Sequence, residues 1–73
     1  MSANQYQVGG NHYVQKAIQP WDYIVKNKIG YLEGNIIKYV SRWRDKGGVD
    51  DLRKAKQYLE KAIEEAIAEE ENK

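Results

Sequence analysis

Four polar residues have the types and spacing needed to hold an anion. Asn35, Lys38 and Arg42 fall three and four residues apart, and Lys46 follows four further on. On a helix, residues so spaced share a face, so Lys38 and Arg42 can converge on one negative group. Arginine presents a planar fork matched to phosphate, and lysine a mobile point charge. Asn35 can read a base edge or a ribose hydroxyl. The same spacing also describes a solvated face with a local ion pair from Lys38 or Arg42 to Asp45. A second candidate is Gly9-Gly10-Asn11-His12-Tyr13. Glycines let backbone approach a phosphate closely, and His12 and Tyr13 can hydrogen-bond to a base or stack on it. The glycine–lysine spacing of a Walker loop is absent, and a flexible arm with a packed tyrosine accounts for the same residues.

Catalytic chemistry finds less to work with. The chain has no cysteine and one histidine, which rules out a disulfide framework and any thiolate metal site. No His-x3-His pair is present for zinc. Glu33, Asp45, Asp50 and Asp51 are the carboxylates that would meet a magnesium ion carried in with a nucleotide, although Asp50 and Asp51 read first as helix caps. Beyond the N-terminal arm, with its Tyr6, the aromatic set is Tyr13, Trp21, Tyr23, Tyr31, Tyr39, Trp43 and Tyr58, and the chain has no phenylalanine. Tyrosine and tryptophan put polar tips at the edge of a core, a habit of interfaces and binding sites.

The elements that position these groups are helical. Pro20 suits the first position of a short helix, where its missing N–H costs nothing, and Asp22 favours the positive end of the dipole. That helix ends near Asn27-Lys28, with Gly30 soon after. A second helix runs from Tyr31 or Leu32 to Arg44, with Leu32, Ile36, Tyr39, Val40 and Trp43 on one stripe. Asp45-Lys46-Gly47-Gly48 closes it, one glycine taking the left-handed conformation. The third helix spans Asp51 to Glu70, capped by Asp50 or Asp51, with Leu52, Ala55, Leu59, Ala62, Ile63, Ala66 and Ile67 on its apolar side. The expectation is one all-α domain over residues 1–73: a short helix, then a helical hairpin with a long C-terminal helix. Residues 1–11 form an extended N-terminal arm, and residues 68–73 an acidic, frayed tail.

The overall charge is +1, yet residues 60–73 sum to −4 and residues 1–59 to +5. A basic body with an acidic tail fits an anionic partner for the body. Hydrophobic residues are 41% of the chain and charged ones 32%, which places it with globular rather than disordered proteins. The first ten residues lack the basic and apolar regions of a signal peptide, and no run approaches the roughly 18 apolar residues of a membrane span. A cytoplasmic location follows. Three short elements do not cover both ends of so long a final helix, so its Ala62–Ile67 portion is expected to meet a second copy of the chain.

A pattern of residues resembles a small bacteriophage family. It comprises His12-Tyr13, Gln19-Pro20, Asp22-Tyr23-Ile24, Glu33-Gly34-Asn35, Lys38-Tyr39, Arg42, Lys46-Gly47-Gly48, Asp51-Leu52, Lys54-Ala55 and Tyr58-Leu59, within about residues 11–63. That family includes the nucleotide kinase domain of certain lytic podophages, whose chain is considerably longer. The resemblance implies an all-helical, phage-encoded, oligomeric protein that handles nucleotides without a Walker loop. It carries nucleotide or phosphate binding onto His12, Asn35, Lys38, Arg42 and Lys46; the spacing argument adds Tyr13. The leading expectation is a phage accessory protein that sequesters a nucleotide-derived ligand or acts as a minimal nucleoside monophosphate kinase. Two alternatives stand beside it: a small helical inhibitor docking on a host or phage enzyme, and a helix-turn-helix-like DNA-binding module over residues 20–44. Against the DNA reading, Lys26 falls where that motif wants a small buried residue, and the acidic tail would repel a duplex.

Overall fold

The computed structural model of the chain describes residues 17–72, and these form three helices. Helix α1 spans Pro20–Lys26, α2 Tyr31–Arg42 and α3 Val49–Glu71. The all-α expectation holds, and no strand occurs among the described residues. The arm expected over residues 1–11, with the His12–Tyr13 candidate, lies outside them.

Pro20 opens α1 as anticipated, with the Gln19 carbonyl accepting from the N–H groups of Asp22 and Tyr23. The helix closes on Lys28 rather than on glycine. Lys28 has φ of 53°, its N–H donates to the Val25 carbonyl, and the Ile29 N–H donates to that of Ile24. This paired bonding uses carbonyls that the helix end would otherwise leave orphaned. Gly30 instead serves as the extended N-cap of α2.

Helices α2 and α3 form the antiparallel hairpin, and α1 lies against α2. Gly34 is buried where α1 crosses; a Cβ there would sit 3.2 Å from Cγ2 of Ile24, so the close approach depends on the missing side chain.

The core departs from the expected pattern. Ala55 is the buried hydrophobic residue among those described, while Val40, Leu52, Leu59, Ile63 and Ile67 are exposed. Helical periodicity marks apolar positions but not which of two neighbouring faces meets a partner. On α3 the side turned to α2 carries Asp51, Ala55, Tyr58 and Ala62, all buried or half-buried. The larger aliphatic residues lie about a quarter-turn away at 3.6 residues per turn. The helix also continues to Glu71 with Asn72 as its C-cap, so most of the tail expected to fray is helical.

Neither Asp50 nor Asp51 caps α3. Its N-cap is Gly48, with no side-chain cap hydrogen bond, and both aspartates lie in the first turn. Gly48 takes the positive φ expected of one glycine in the turn, 58°, but with ψ −143° it is extended rather than left-handed helical. No described helix is long and apolar enough to cross a membrane.

Candidate functional site

Asp51 is the most deeply buried side chain described, at 1% exposure, and it organises the closed end of the hairpin. Arg42, from the last turn of α2, donates from Nε to Asp51 Oδ2 at 2.9 Å and from Nη2 to Oδ1 at 3.3 Å. Lys54, one turn along α3, lies 3.9 Å from Oδ1. The Gly47 backbone N–H adds a further hydrogen bond. The Arg42 hydrogen bond holds the Asp51 carboxyl below the usual aspartate range against the opposing pull of burial; the charges of Arg42 and Lys54 assist.

Beside this pair lies a cluster of rings and cations along the α2–α3 seam. Tyr39 stacks on Tyr58 with centroids 5.8 Å apart, and Tyr31 meets Tyr58 edge-on at 6.0 Å. Three cations surround the Tyr39 ring: Arg42 at 4.8 Å, Lys38 at 5.1 Å and Lys54 at 5.4 Å from its centroid. Tyr31 is 74% exposed, leaving most of its ring open to a stacking partner. The Tyr58 hydroxyl is held protonated to higher pH than an ordinary tyrosine, first by its hydrogen bond to Tyr31 and then by burial.

The residues singled out by spacing are therefore placed differently. Lys38 is half-buried over Tyr39, and no carboxylate pairs with it among the described residues. Arg42 is committed to Asp51 and is 12% exposed. Asn35 donates from Nδ2 to the Tyr31 carbonyl at 2.8 Å, a bond within its own helix. Lys46 is exposed in the turn after α2, its N–H bonded to the Arg42 carbonyl.

Spacing alone overlooked Asp51 as a partner, Lys54 as a contributor of charge, and the Tyr31–Tyr58–Tyr39 set as one cluster. One signal was available. Arg42 stands five residues before Gly47 and Asp51 three after Gly48, close enough on either side of the turn to face each other when the hairpin closes.

Flanking Tyr58 is an open groove of about 470 Å³ lined by Leu32, Gln57, Tyr58, Glu60, Lys61 and Glu64. Its two glutamates make that side unsuited to phosphate, and Lys61 is occupied there by Glu64 and Glu65 at 3.2 and 3.1 Å. Among the described residues no group of three or more His, Cys, Asp or Glu is placed to hold a metal.

These features define an all-helical hairpin protein with a cationic, aromatic seam closed by a buried arginine–aspartate pair. The chain belongs to a family described as a protein of unknown function (DUF3310), whose model matches residues 8–60. The match takes in α1, α2, the glycine turn and α3 as far as Glu60. No curated protein and no solved structure matches the chain.

Proposed function

We propose that the protein binds a nucleotide or another phosphorylated small molecule on the α2–α3 seam. The observation that carries this reading is the convergence of Lys38, Lys54 and Arg42 on the ring of Tyr39. Asp51 balances Arg42, so the charge offered to a ligand comes mainly from the two lysines. Tyr31 supplies an exposed ring on which a base can stack; such stacking contributes about 1–3 kcal/mol per base. Lys46 and Asn35 stand at the periphery, and Arg42 fixes the seam rather than gripping the ligand. The likeness of the residue pattern to the bacteriophage family with a podophage nucleotide kinase domain supports the same ligand class. A kinase activity would rest on positioning and charge neutralisation, which are the main requirements of phosphoryl transfer.

The test is thermal unfolding in the presence of nucleoside monophosphates, triphosphates and cyclic dinucleotides. A ligand at 100 times its Kd adds about 2.7 kcal/mol of stability, a readily measured shift in Tm. Lys38→Ala/Lys54→Ala is expected to lose most of that shift while its ligand-free Tm stays near the parent value, since Lys54 is half-exposed. Absence of a shift across the panel would remove the reading. Incubation with nucleoside monophosphate, ATP and magnesium separately decides whether a phosphoryl group moves.

The DNA-binding alternative draws less support. The Arg42 that a recognition helix would present to a groove is held against α3.

A further inference from the structure

The exposed side of α3 carries Leu52, Leu59, Ile63 and Ile67, each between 36% and 51% exposed. At 100° per residue these four fall within an arc of about 80°, about a quarter-turn from the side that meets α2. Val49, 57% exposed, extends the stripe toward the turn. Four large aliphatic residues in one line, about 22 Å from Leu52 to Ile67 at 1.5 Å per residue, form a helix-pairing surface with no cover among the described residues.

We infer that this stripe pairs with the same stripe of a second copy, the two α3 helices running antiparallel. The charges along α3 argue for both the partner and the direction. Beside the stripe its first half carries Arg53 and Lys56 and its second half Glu60, Glu64, Glu70 and Glu71, whereas Asp50, Lys54, Lys61, Glu65 and Glu69 lie more than about 100° from its centre. Antiparallel pairing lays each basic half along the partner's acidic half, whereas parallel pairing lays the four glutamates of the last two turns against four more. Flanking charges of this kind select partner and orientation in paired helices. The register that sets Leu52 opposite Ile67 of the other copy overlaps nearly the whole of α3. It also sets Arg53 opposite Ala66 and Lys56 opposite Ile63 of that copy, each within a turn of its Glu64.

Lys56 interrupts the stripe. In the single chain its ammonium already reaches Glu60 of the next turn at 3.9 Å. Its alkyl stem can therefore cover apolar surface while its charge stays at the carboxylate edge. Two hairpins joined in this way make a four-helix arrangement. The pairing stands independently of the phosphate-binding reading, because Lys38 and Tyr39 belong to α2 and Lys54, at 100° per residue, lies on the side of α3 opposite the stripe.

Cysteine cross-linking tests partner and direction together, and the absence of native cysteine makes it clean. Leu52→Cys, Ile67→Cys and the double variant are oxidised at micromolar concentration, alongside sedimentation equilibrium of the full chain. The expected result is a dimer, or an even multiple, in sedimentation. The double variant is expected to form a covalent dimer while each single variant stays uncross-linked. A disulfide needs Cα atoms about 4.4–6.8 Å apart, a distance that identical positions near opposite ends of antiparallel helices cannot reach. A full chain that sediments as a monomer overturns the inference. Efficient self-linking of Leu52→Cys alone overturns it as well, since that result means parallel helices.

Discussion

Asp51→Ala is expected to lower the unfolding free energy by about 3 kcal/mol, read by urea or thermal unfolding at fixed protein concentration. Removing one partner of a buried pair costs about 3–5 kcal/mol because the other charge is left uncompensated. Arg42 keeps 12% exposure and a neighbouring tyrosine ring, so the low end of that range applies. For a domain of this size the loss corresponds to a Tm decrease of roughly 12–24 °C. Exchanging both partners for apolar groups, Arg42→Met with Asp51→Leu, is expected to cost much less than the single change, since no charge is stranded. A loss below about 1 kcal/mol for Asp51→Ala would mean that the pair does not hold the hairpin end.

The same carboxylate sets an acid dependence. Because Asp51 titrates lower in the folded chain than in the unfolded one, the unfolded state binds the extra proton first, and stability drops as the pH is lowered. The contribution is fully present above the ordinary aspartate value of about 4, and it is lost as pH falls through the lowered folded value. Asp51→Ala should flatten that part of the pH–stability curve relative to the parent chain.

The helices were legible in the sequence because their signals are local. Pro20 and Asp22 mark a helix start, and two glycines mark a turn. Apolar residues at three and four apart mark helical faces, and each of these acts within one or two turns of the chain. The packing was less legible for a physical reason. Leu52, Ala55, Leu59 and Ile63 lie close enough in angle to read as one stripe, yet only Ala55 enters the seam, because a small side chain is what lets two helices approach. Asp51 was misread through the same locality. An aspartate just after Gly-Gly resembles a cap, and its real partner lies in the preceding helix. Of the four spaced residues, Lys38 is the one placed over the Tyr39 ring with no carboxylate partner among the described residues; Lys54 and the three tyrosines join it only where the hairpin closes.

The glycine turn yields the sharpest contrast between neighbouring positions. A Cβ on Gly47 would overlap the Asp51 carboxyl group, whereas a Cβ on Gly48 meets nothing within 4 Å. Asp51 cannot swing aside without giving up Arg42 and the Gly47 N–H. Gly47→Ala should therefore destabilise by an amount similar to Asp51→Ala, about 3 kcal/mol, because both break the same buried pair. The two changes should be strongly non-additive: once Asp51 is alanine, the methyl group has little left to displace. Gly48→Ala acts only through its backbone. At φ 58° and ψ −143° it sits in a region open almost only to glycine, which costs about 1–3 kcal/mol for another residue. Sharing no side-chain contact with Asp51, that cost should add to the cost of Asp51→Ala within about 0.5 kcal/mol. Urea unfolding of the three single and two double variants separates these cases. Additive losses for Gly47→Ala with Asp51→Ala would show that Gly47 serves the turn for some reason other than the room it leaves for the carboxylate.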